Sequence, residues 1–187
     1  MEELMMKKAL LNIDYTYDFV APEGKLTCGE PGQKLLKYIC ELTNSFIHNN
    51  DLVVFSIDLH KENDHYHPET KQFPPHNIEH TAGRELYSEL NTLYQGQKDN
   101  DHVIWSDKTR FSAFAGTELE IKLRERGITE VHLVGVCTDI CILHTAVDAY
   151  NKGFKIVVHE HGVASFNQAG HNWALDHFKN TLGAEII

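Results

Sequence analysis

The sequence is poor in cysteine, in positive charge and in long apolar runs. Four cysteines in 187 residues are too few for a disulfide scaffold and indicate a reduced, cytoplasmic setting. Lys and Arg number 17 against 27 Asp and Glu, and the net charge of −10 argues against a nucleic-acid partner. No apolar run reaches the roughly 20 residues of a membrane span, and the start, MEELMMKKALLNID, lacks a signal-peptide layout. We therefore expect no membrane partner.

The remaining composition is that of a globular protein. Hydrophobic residues make up 42% and charged residues 24%, which are ordinary values. A chain of this length can bury roughly two-thirds of its unfolded surface, so it can fold without a disulfide or a metal. We expect a single domain over residues 1–187.

Short apolar runs alternate with segments of helical periodicity. The apolar runs predict strands at residues 9–13, 52–57, 102–105, 131–136, 155–158 and 184–187. The periodic segments predict helices at residues 31–49, 117–126, 138–152 and 169–181. This alternation is typical of βαβ units with right-handed crossovers. It predicts a three-layer α/β/α sandwich with a mostly parallel six-stranded sheet.

Polar residues and cysteines follow four of the predicted strands. Ligands of parallel sheets bind beyond the carboxyl ends of the strands, so these residues are expected in one crevice. They are Asp14 after the first strand, Asp58 and His60 after the second, Asp107 and Lys108 after the third, and Cys137 and Cys141 after the fourth.

Cys141 is the candidate nucleophile. It falls in the first turn of a predicted helix, where free amides and the helix dipole favour a thiolate. The alternative is a small buried apolar residue, which is the more common role of a cysteine. Cys28, in a predicted loop, and Cys40, on the apolar side of the first long helix, lack such a setting and are interpreted as structural.

Asp14 and Lys108 are the candidate partners of this thiol. Asp14 can act as its base, or it can simply cap a turn at the strand end. A buried Lys108 would need a carboxylate partner, which Asp14 can provide, whereas a surface lysine would need none. Asp18 lies farther along the chain and is interpreted as ordering the loop.

The segment from Asp58 to His80 is rich in metal-ligating side chains. It contains five of the 13 histidines, and Asp58 and His60, two apart on a strand end, share a face. Mixed nitrogen and oxygen donors suit Zn, Mn or Fe better than Ca. A solvated polar loop is the alternative, although a loop this long is usually functional. The further donors in it are His65, His67, Glu69, His76 and His80.

Three loop phenylalanines, Phe19, Phe73 and Phe111, fall near the same strand ends. Aromatic side chains in such positions can sandwich a flat ring. They can equally fill the core.

Four separated blocks resemble the nicotinamidases of the cysteine-hydrolase (isochorismatase-like) superfamily, in order and spacing. The likeness runs nearly end to end and is strongest to the shorter bacterial members. The blocks are IDYTYDF, DLHKENDHYHPETKQFPPHN, DKTRFSAFAGT and GVCTDICILHTAVDAY.

The resemblance implies roles for individual residues. Asp14, Lys108 and Cys141 would form the catalytic triad, and the amides of Cys137 and Cys141 an oxyanion hole next to a Val136–Cys137 cis peptide. A divalent metal, zinc first with Mn or Fe as alternatives, would bind Asp58, His60, Glu69 and His76. His65 and His67 match no ligand position. The substrate pocket would be lined by Phe19, Phe73, Phe111, Val136 and Cys137.

Two positions depart from the family pattern. Many members have Gln where this chain has Thr16, and an aliphatic residue where it has Cys137. The first departure puts a supporting role of that side chain in question. The second places another thiol near Cys141, with which it could form a strained disulfide.

The resemblance also implies an activity. It is hydrolysis of nicotinamide to nicotinate and ammonia through a cysteine thioester, in NAD salvage, with pyrazinamide as a further substrate. Separately, we expect a homo-oligomer whose size the sequence does not fix, with Trp173 and the late helices as candidates for its interface. Two alternatives stay open. One is another amidase or carbamoyl hydrolase of the superfamily, and the other is a metal-binding protein without catalysis.

Overall fold

The structure, a computed structural model, describes residues 7–187. It contains one sheet with the strand order β3-β2-β1-β4-β5-β6, and every neighbouring pair is parallel. The predicted α/β fold is confirmed, with six strands all running the same way. The strands are β1 Lys7–Ile13, β2 Leu52–Asp58, β3 Val103–Lys108, β4 Ile128–Val136, β5 Lys155–Ala164 and β6 Glu185–Ile186.

Helices cover both faces of this sheet. They are α1 Tyr17–Val20, α2 Glu30–Gln33, α3 Leu36–His48, α4 Glu89–Gln97, α5 Leu119–Glu125, α6 Leu143–Asn151 and α7 Gln168–Asn180. Two 3₁₀ turns, Pro68–Lys71 and Ala82–Arg84, and a π-helical turn, Thr138–Ile142, complete the regular structure. Within residues 7–187, none of the helices has the length and apolar character needed to cross a bilayer.

The central strands are apolar on both faces because both faces are buried. On β1, Leu11 and Ile13 belong to the core under α5, α6 and α7, whereas Leu10 belongs to the core under α3 and α4. All three side chains are fully buried. The uninterrupted apolar runs of the sequence are therefore the middle layer of the sandwich.

The predicted helix over residues 31–49 is wrong in its first part. Two helices occupy this range, α2 and α3. The carbonyl of Gly32 accepts the Tyr15 hydroxyl at 2.7 Å and the Leu35 amide at 3.2 Å. These bonds tighten the backbone into a turn between α2 and α3.

Two further boundaries differ from the prediction. Helix α4 has weak apolar periodicity, with Leu90 as its one buried residue, and the sequence pattern did not reveal it. Strand β3 extends to Lys108, because residues 103–108 stay in parallel register with β2. Asp107 and Lys108 thus lie in the strand rather than after it.

The strand ends converge where β1 and β4 approach closely. Gly135 has a φ of +122°, and a Cβ atom there would lie 1.9 Å from the carbonyl oxygen of Ile13. Only glycine fits this position. The close approach brings the end of β4 beside Asp14, the residue that follows β1.

Candidate active site

Asp14, Lys108 and Cys141 meet at this edge of the sheet, as predicted. The Nζ atom of Lys108 lies 2.7 Å from Oδ2 of Asp14 and 3.8 Å from Sγ of Cys141. A carboxylate oxygen of Asp14 and the Cys141 sulfur lie within 4.8 Å of each other. All three side chains are at least 95% buried, with exposures of 0%, 1% and 5%. The alternative of a solvated surface lysine is excluded.

Cys141 lies in a π-helical turn and not in the first turn of a regular α-helix. The carbonyl of Cys137 accepts the amides of Ile140 at 3.1 Å and Ile142 at 3.2 Å. This wider turn follows a cis peptide bond between Val136 and Cys137, which confirms the expectation drawn from the resemblance. Helix α6 begins only at Leu143.

Burial controls the protonation of this group of residues. Burial, together with the charge of Asp58, raises the pKa of Asp14 to about 6. Burial also raises the pKa of the Cys141 thiol well above its usual value, against the opposing charge of Lys108. Burial lowers the pKa of Lys108, but the carboxylates of Asp14 and Asp58 outweigh it and raise that pKa overall. Burial therefore favours the neutral thiol of Cys141 over a thiolate, beside a carboxylate that can take its proton.

Four buried donors, Asp58, His60, Glu69 and His76, form a second group, with one ligand atom of each within 4.8 Å of all the others. Nε2 of His60 lies 3.6 Å from Oδ2 of Asp58 and 4.0 Å from Oε2 of Glu69. Nε2 of His76 lies 3.6 Å from the same Glu69 oxygen. These separations are too long for hydrogen bonds and leave room for an ion between the donors. We call this group the metal cluster.

The donor chemistry fits a divalent metal. Nδ1 of His76 donates to the Pro74 carbonyl at 2.7 Å, which leaves the lone pair of Nε2 facing the cluster. Among residues 7–187, Nε2 of His60 and Nε2 of His76 are buried without a hydrogen-bond partner. Imidazole nitrogens and carboxylate oxygens are ligands of zinc, manganese and iron.

His67 supports the metal cluster without belonging to it. Its Nε2 donates to the Thr109 carbonyl at 2.6 Å, and its Nδ1 accepts the Glu69 amide at 3.2 Å. Its ring centre lies 4.5 Å from that of His60. His65 and His80 are exposed, so these two donors of the loop lie outside the cluster.

An apolar pocket lies between the thiol and the metal cluster. Cys141 lines it together with Asp58 and Glu69. The predicted lining residues all take part: Phe19, Phe73, Phe111, Val136 and Cys137. The sequence interpretation missed Leu26, Ile140 and Phe166. Phe166 follows the end of β5, so the strand-end rule could have identified it.

Several supporting contacts were also missed. The backbone amide of Asp58 donates to Oδ1 of Asp14 at 2.8 Å, and Nε of Arg84 donates to the Asp58 carbonyl at 2.6 Å. Asp18 orders the loop as predicted, because it accepts the backbone amides of Lys25 at 3.3 Å and Asn77 at 2.9 Å.

The cysteines are all free thiols. Cys28 is buried, and the interaction of its thiol with that of Cys137 lowers the pKa of Cys28 and raises the pKa of Cys137. The second thiol near the pocket therefore has the Cys28 thiol as a neighbour. Cys40 is half-buried and packs against the core under α3, in agreement with a structural role.

Known proteins share this architecture over nearly the whole chain. The nicotinamidase/pyrazinamidase PncA from Bacillus subtilis is 60% identical, with a TM-score of 0.96 over 97% of this chain and 99% of that one. A pyrazinamidase/nicotinamidase from Streptococcus mutans UA159 is 54% identical, with a TM-score of 0.95 over 97% and 100%. A pyrazinamidase of Pyrococcus horikoshii solved in complex with zinc is 27% identical, with a TM-score of 0.84 over 97% and 98%.

The amino-acid sequence was also compared with models of protein families. The model of the isochorismatase domain matches residues 8–187, which includes all the strands and the candidate site. The chain belongs to the isochorismatase family.

Proposed function

We propose that this protein is a nicotinamidase, which hydrolyses nicotinamide to nicotinate and ammonia, and that residues 1–187 form a single hydrolase domain. One observation carries the proposal. A buried Cys141–Asp14–Lys108 triad and a metal cluster of nitrogen and oxygen donors face the same aromatic-lined pocket. Nicotinamide has a flat ring to fit the aromatic pocket, a ring nitrogen to face the metal cluster and a carboxamide to face the triad. The high identity to named nicotinamidases supports the assignment.

The first half of the reaction breaks the amide bond. Asp14 takes the proton from Sγ of Cys141, and the thiolate attacks the carboxamide carbon. The backbone amides of Cys137 and Cys141 stabilise the oxyanion. Asp14 then passes the proton to the departing nitrogen, the C–N bond breaks, and ammonia leaves a thioester on Cys141.

The second half releases nicotinate. Asp14 takes a proton from water, and the resulting hydroxide attacks the thioester carbon. The C–S bond breaks, and Asp14 returns the proton to the sulfur. Lys108 stays protonated throughout, because its two carboxylate neighbours hold its pKa high. It balances the charge that moves between Asp14 and Cys141.

Asp58, His60, Glu69 and His76 would hold the metal. When bound, this metal supplies a Lewis acid that can accept the lone pair of the ring nitrogen. We infer zinc, with manganese or iron as alternatives that the same donors permit. The aromatic rings of Phe19, Phe73 and Phe111 contact the faces and edges of the substrate ring.

The same pocket fits pyrazinamide, which also carries a ring nitrogen and a carboxamide. We further propose cytoplasmic action in NAD salvage as a homo-oligomer. Four free thiols suit a reducing compartment. Trp173 is 55% exposed and is a candidate contact between copies.

Substrate choice tests the proposal against its alternatives. The zinc-loaded protein should release ammonia from nicotinamide and pyrazinamide, and more slowly from benzamide, which lacks the ring nitrogen. Equal rates with benzamide, or activity confined to carbamoyl compounds, would indicate a different amidase of the family. Zinc binding without ammonia release from any amide would indicate a metal-binding protein.

A further inference from the structure

One asparagine joins the metal cluster to the loop that follows the candidate base. Asn77 is fully buried and directly follows His76. Its carbonyl accepts the backbone amide of His60 at 3.1 Å, and the neighbouring residue Ile78 forms a parallel bridge with His60. Asn77 is therefore hydrogen-bonded to one candidate metal ligand, His60, and covalently linked to another, His76.

The other contacts of Asn77 come from the loop after β1. The backbone amide of Asn77 donates to Oδ2 of Asp18 at 2.9 Å. The side-chain oxygen Oδ1 of Asn77 accepts the hydroxyl of Thr16 at 2.9 Å. Within the described part of the chain, that hydroxyl is the one hydrogen-bond partner of the Asn77 side chain. Thr16 is itself fully buried and lies two residues after Asp14.

The backbone of Asn77 needs this support. Its φ is +43°, in the left-handed region that Asn tolerates better than most residues. The turn aims the His76 ring back toward His60, whose ring centre lies 4.5 Å away. Loss of the Thr16 bond would free the side chain that anchors this turn.

We propose that Thr16 and Asn77 are positioning residues for the metal cluster. Their hydrogen bond sets the spacing of the His60 and His76 nitrogens and ties it to the strand end that carries Asp14. This inference rests on the proposed function, because it takes the cluster to be the site of the bound metal. It also gives Thr16 a role in this chain, at the position where many family members have Gln.

The test measures zinc affinity rather than turnover. Thr16→Val keeps the shape and removes the hydroxyl, whereas Thr16→Ser keeps the hydroxyl. Loss of a supporting bond to metal ligands typically weakens metal binding about 10–100-fold. Because Thr16 bonds Asn77 and not a ligand itself, we expect Thr16→Val to raise the zinc Kd, measured by competition with a chromophoric chelator, by the lower end of this range, about 10-fold. Thr16→Ser should have a zinc Kd near the wild-type value.

A matched control separates positioning from general destabilisation. Thr43 is also fully buried and shares a side-chain hydrogen bond with an asparagine, Asn12, at 3.1 Å. Thr43→Val should lower the Tm of the metal-free protein comparably but leave the zinc Kd unchanged. If Thr16→Val does not fold, Asn77→Gly, which permits the positive φ, should show the same loss of affinity.

The outcomes distinguish this inference from the proposed function. An unchanged zinc Kd in Thr16→Val, or an equal rise in Thr43→Val, overturns the positioning role even if the wild type hydrolyses nicotinamide. Zinc binding weakened by Thr16→Val alone supports the positioning role even if the wild type releases no ammonia. A wild type that binds no zinc overturns it.

Discussion

Asp58 and Lys108 form a buried ion pair at the point where the candidate triad meets the metal cluster. The other carboxylate oxygen of Asp58 lies 3.6 Å from Nε2 of His60. One side chain thus faces both a metal ligand and the cation that contacts Asp14 and Cys141. The two parts of the site are one electrostatic unit.

Replacement of Asp58 should therefore affect both parts. Asp58→Asn keeps the shape but removes the charge, and we expect a zinc Kd at least about 10-fold higher. We also expect lower kcat at saturating zinc, because Lys108 loses one of its two carboxylates. Chelator competition and zinc titration of activity measure the two effects. Asp101→Asn, at an exposed carboxylate away from the site, is the control. Full recovery of kcat by excess zinc would contradict the shared role.

Removal of the buried cation should destabilise the fold. Lys108→Met leaves Asp14 and Asp58 facing each other without a counter-charge. Breaking a buried charge pair costs about 3–5 kcal/mol, which urea unfolding of the metal-free protein would measure. Lys37→Met, at a lysine whose side chain is 85% exposed, should change stability by less than about 0.5 kcal/mol. Similar losses in both variants would show that Lys108 is not the counter-ion of the site.

Removal of the Cys137 thiol and removal of the Cys141 thiol should have very different effects on activity. Cys137→Ala should retain most activity, because the proposed oxyanion donor is its backbone amide and not its side chain. Cys141→Ala should abolish ammonia release while near-ultraviolet circular dichroism stays unchanged. Equal losses in the two variants would contradict the assignment of Cys141 as the single nucleophile.

A hydrogen-bonded network of side chains, buried except for the half-buried Tyr38 on α3, connects α3, β4 and β5 apart from the site. Tyr38 contacts Nδ1 of His159 at 2.9 Å, Nε2 of His159 contacts Nδ1 of His132 at 2.8 Å, and Nε2 of His132 contacts Glu130 at 2.9 Å. With both imidazoles neutral, every group in this network has a donor or acceptor to match. Burial lowers the pKa of His132, and burial with the charge of His132 lowers that of His159 to about 4.

This hydrogen-bonded network predicts that the protein loses stability in acid. In the unfolded state His159 binds a proton near pH 6.5, whereas in the folded state it does so only near pH 4. The free energy of unfolding therefore falls as the pH drops from about 6.5 to about 4. Between pH 7 and 5 the contribution is about 2 kcal/mol. His159→Gln keeps both hydrogen bonds without titrating and should reduce this pH dependence in urea unfolding. His48→Gln, at an exposed histidine, should not. An identical pH dependence in all three proteins would contradict the prediction.

The sequence predicts the fold and the meeting of strand ends because both depend on local patterns. Apolar runs identify buried strands, and parallel strands bring Asp14, Lys108 and Cys141 to one edge. The choice of Glu69 and His76 among the loop donors came from family resemblance, since no periodicity orders a loop. The π-helical turn at Cys141 and the Thr16–Asn77 bond depend on contacts between distant segments, which a single sequence does not encode in any local pattern.

The most direct test of the account is to trap the covalent intermediate. Zinc-loaded protein is mixed with excess nicotinamide, quenched in acid within milliseconds and analysed by peptide mass spectrometry. We predict one nicotinoyl group on the peptide that carries Cys141, and none in the Cys141→Ala variant. Steady release of ammonia without any nicotinoyl adduct, or an adduct on Cys137 or Cys28, would contradict the account.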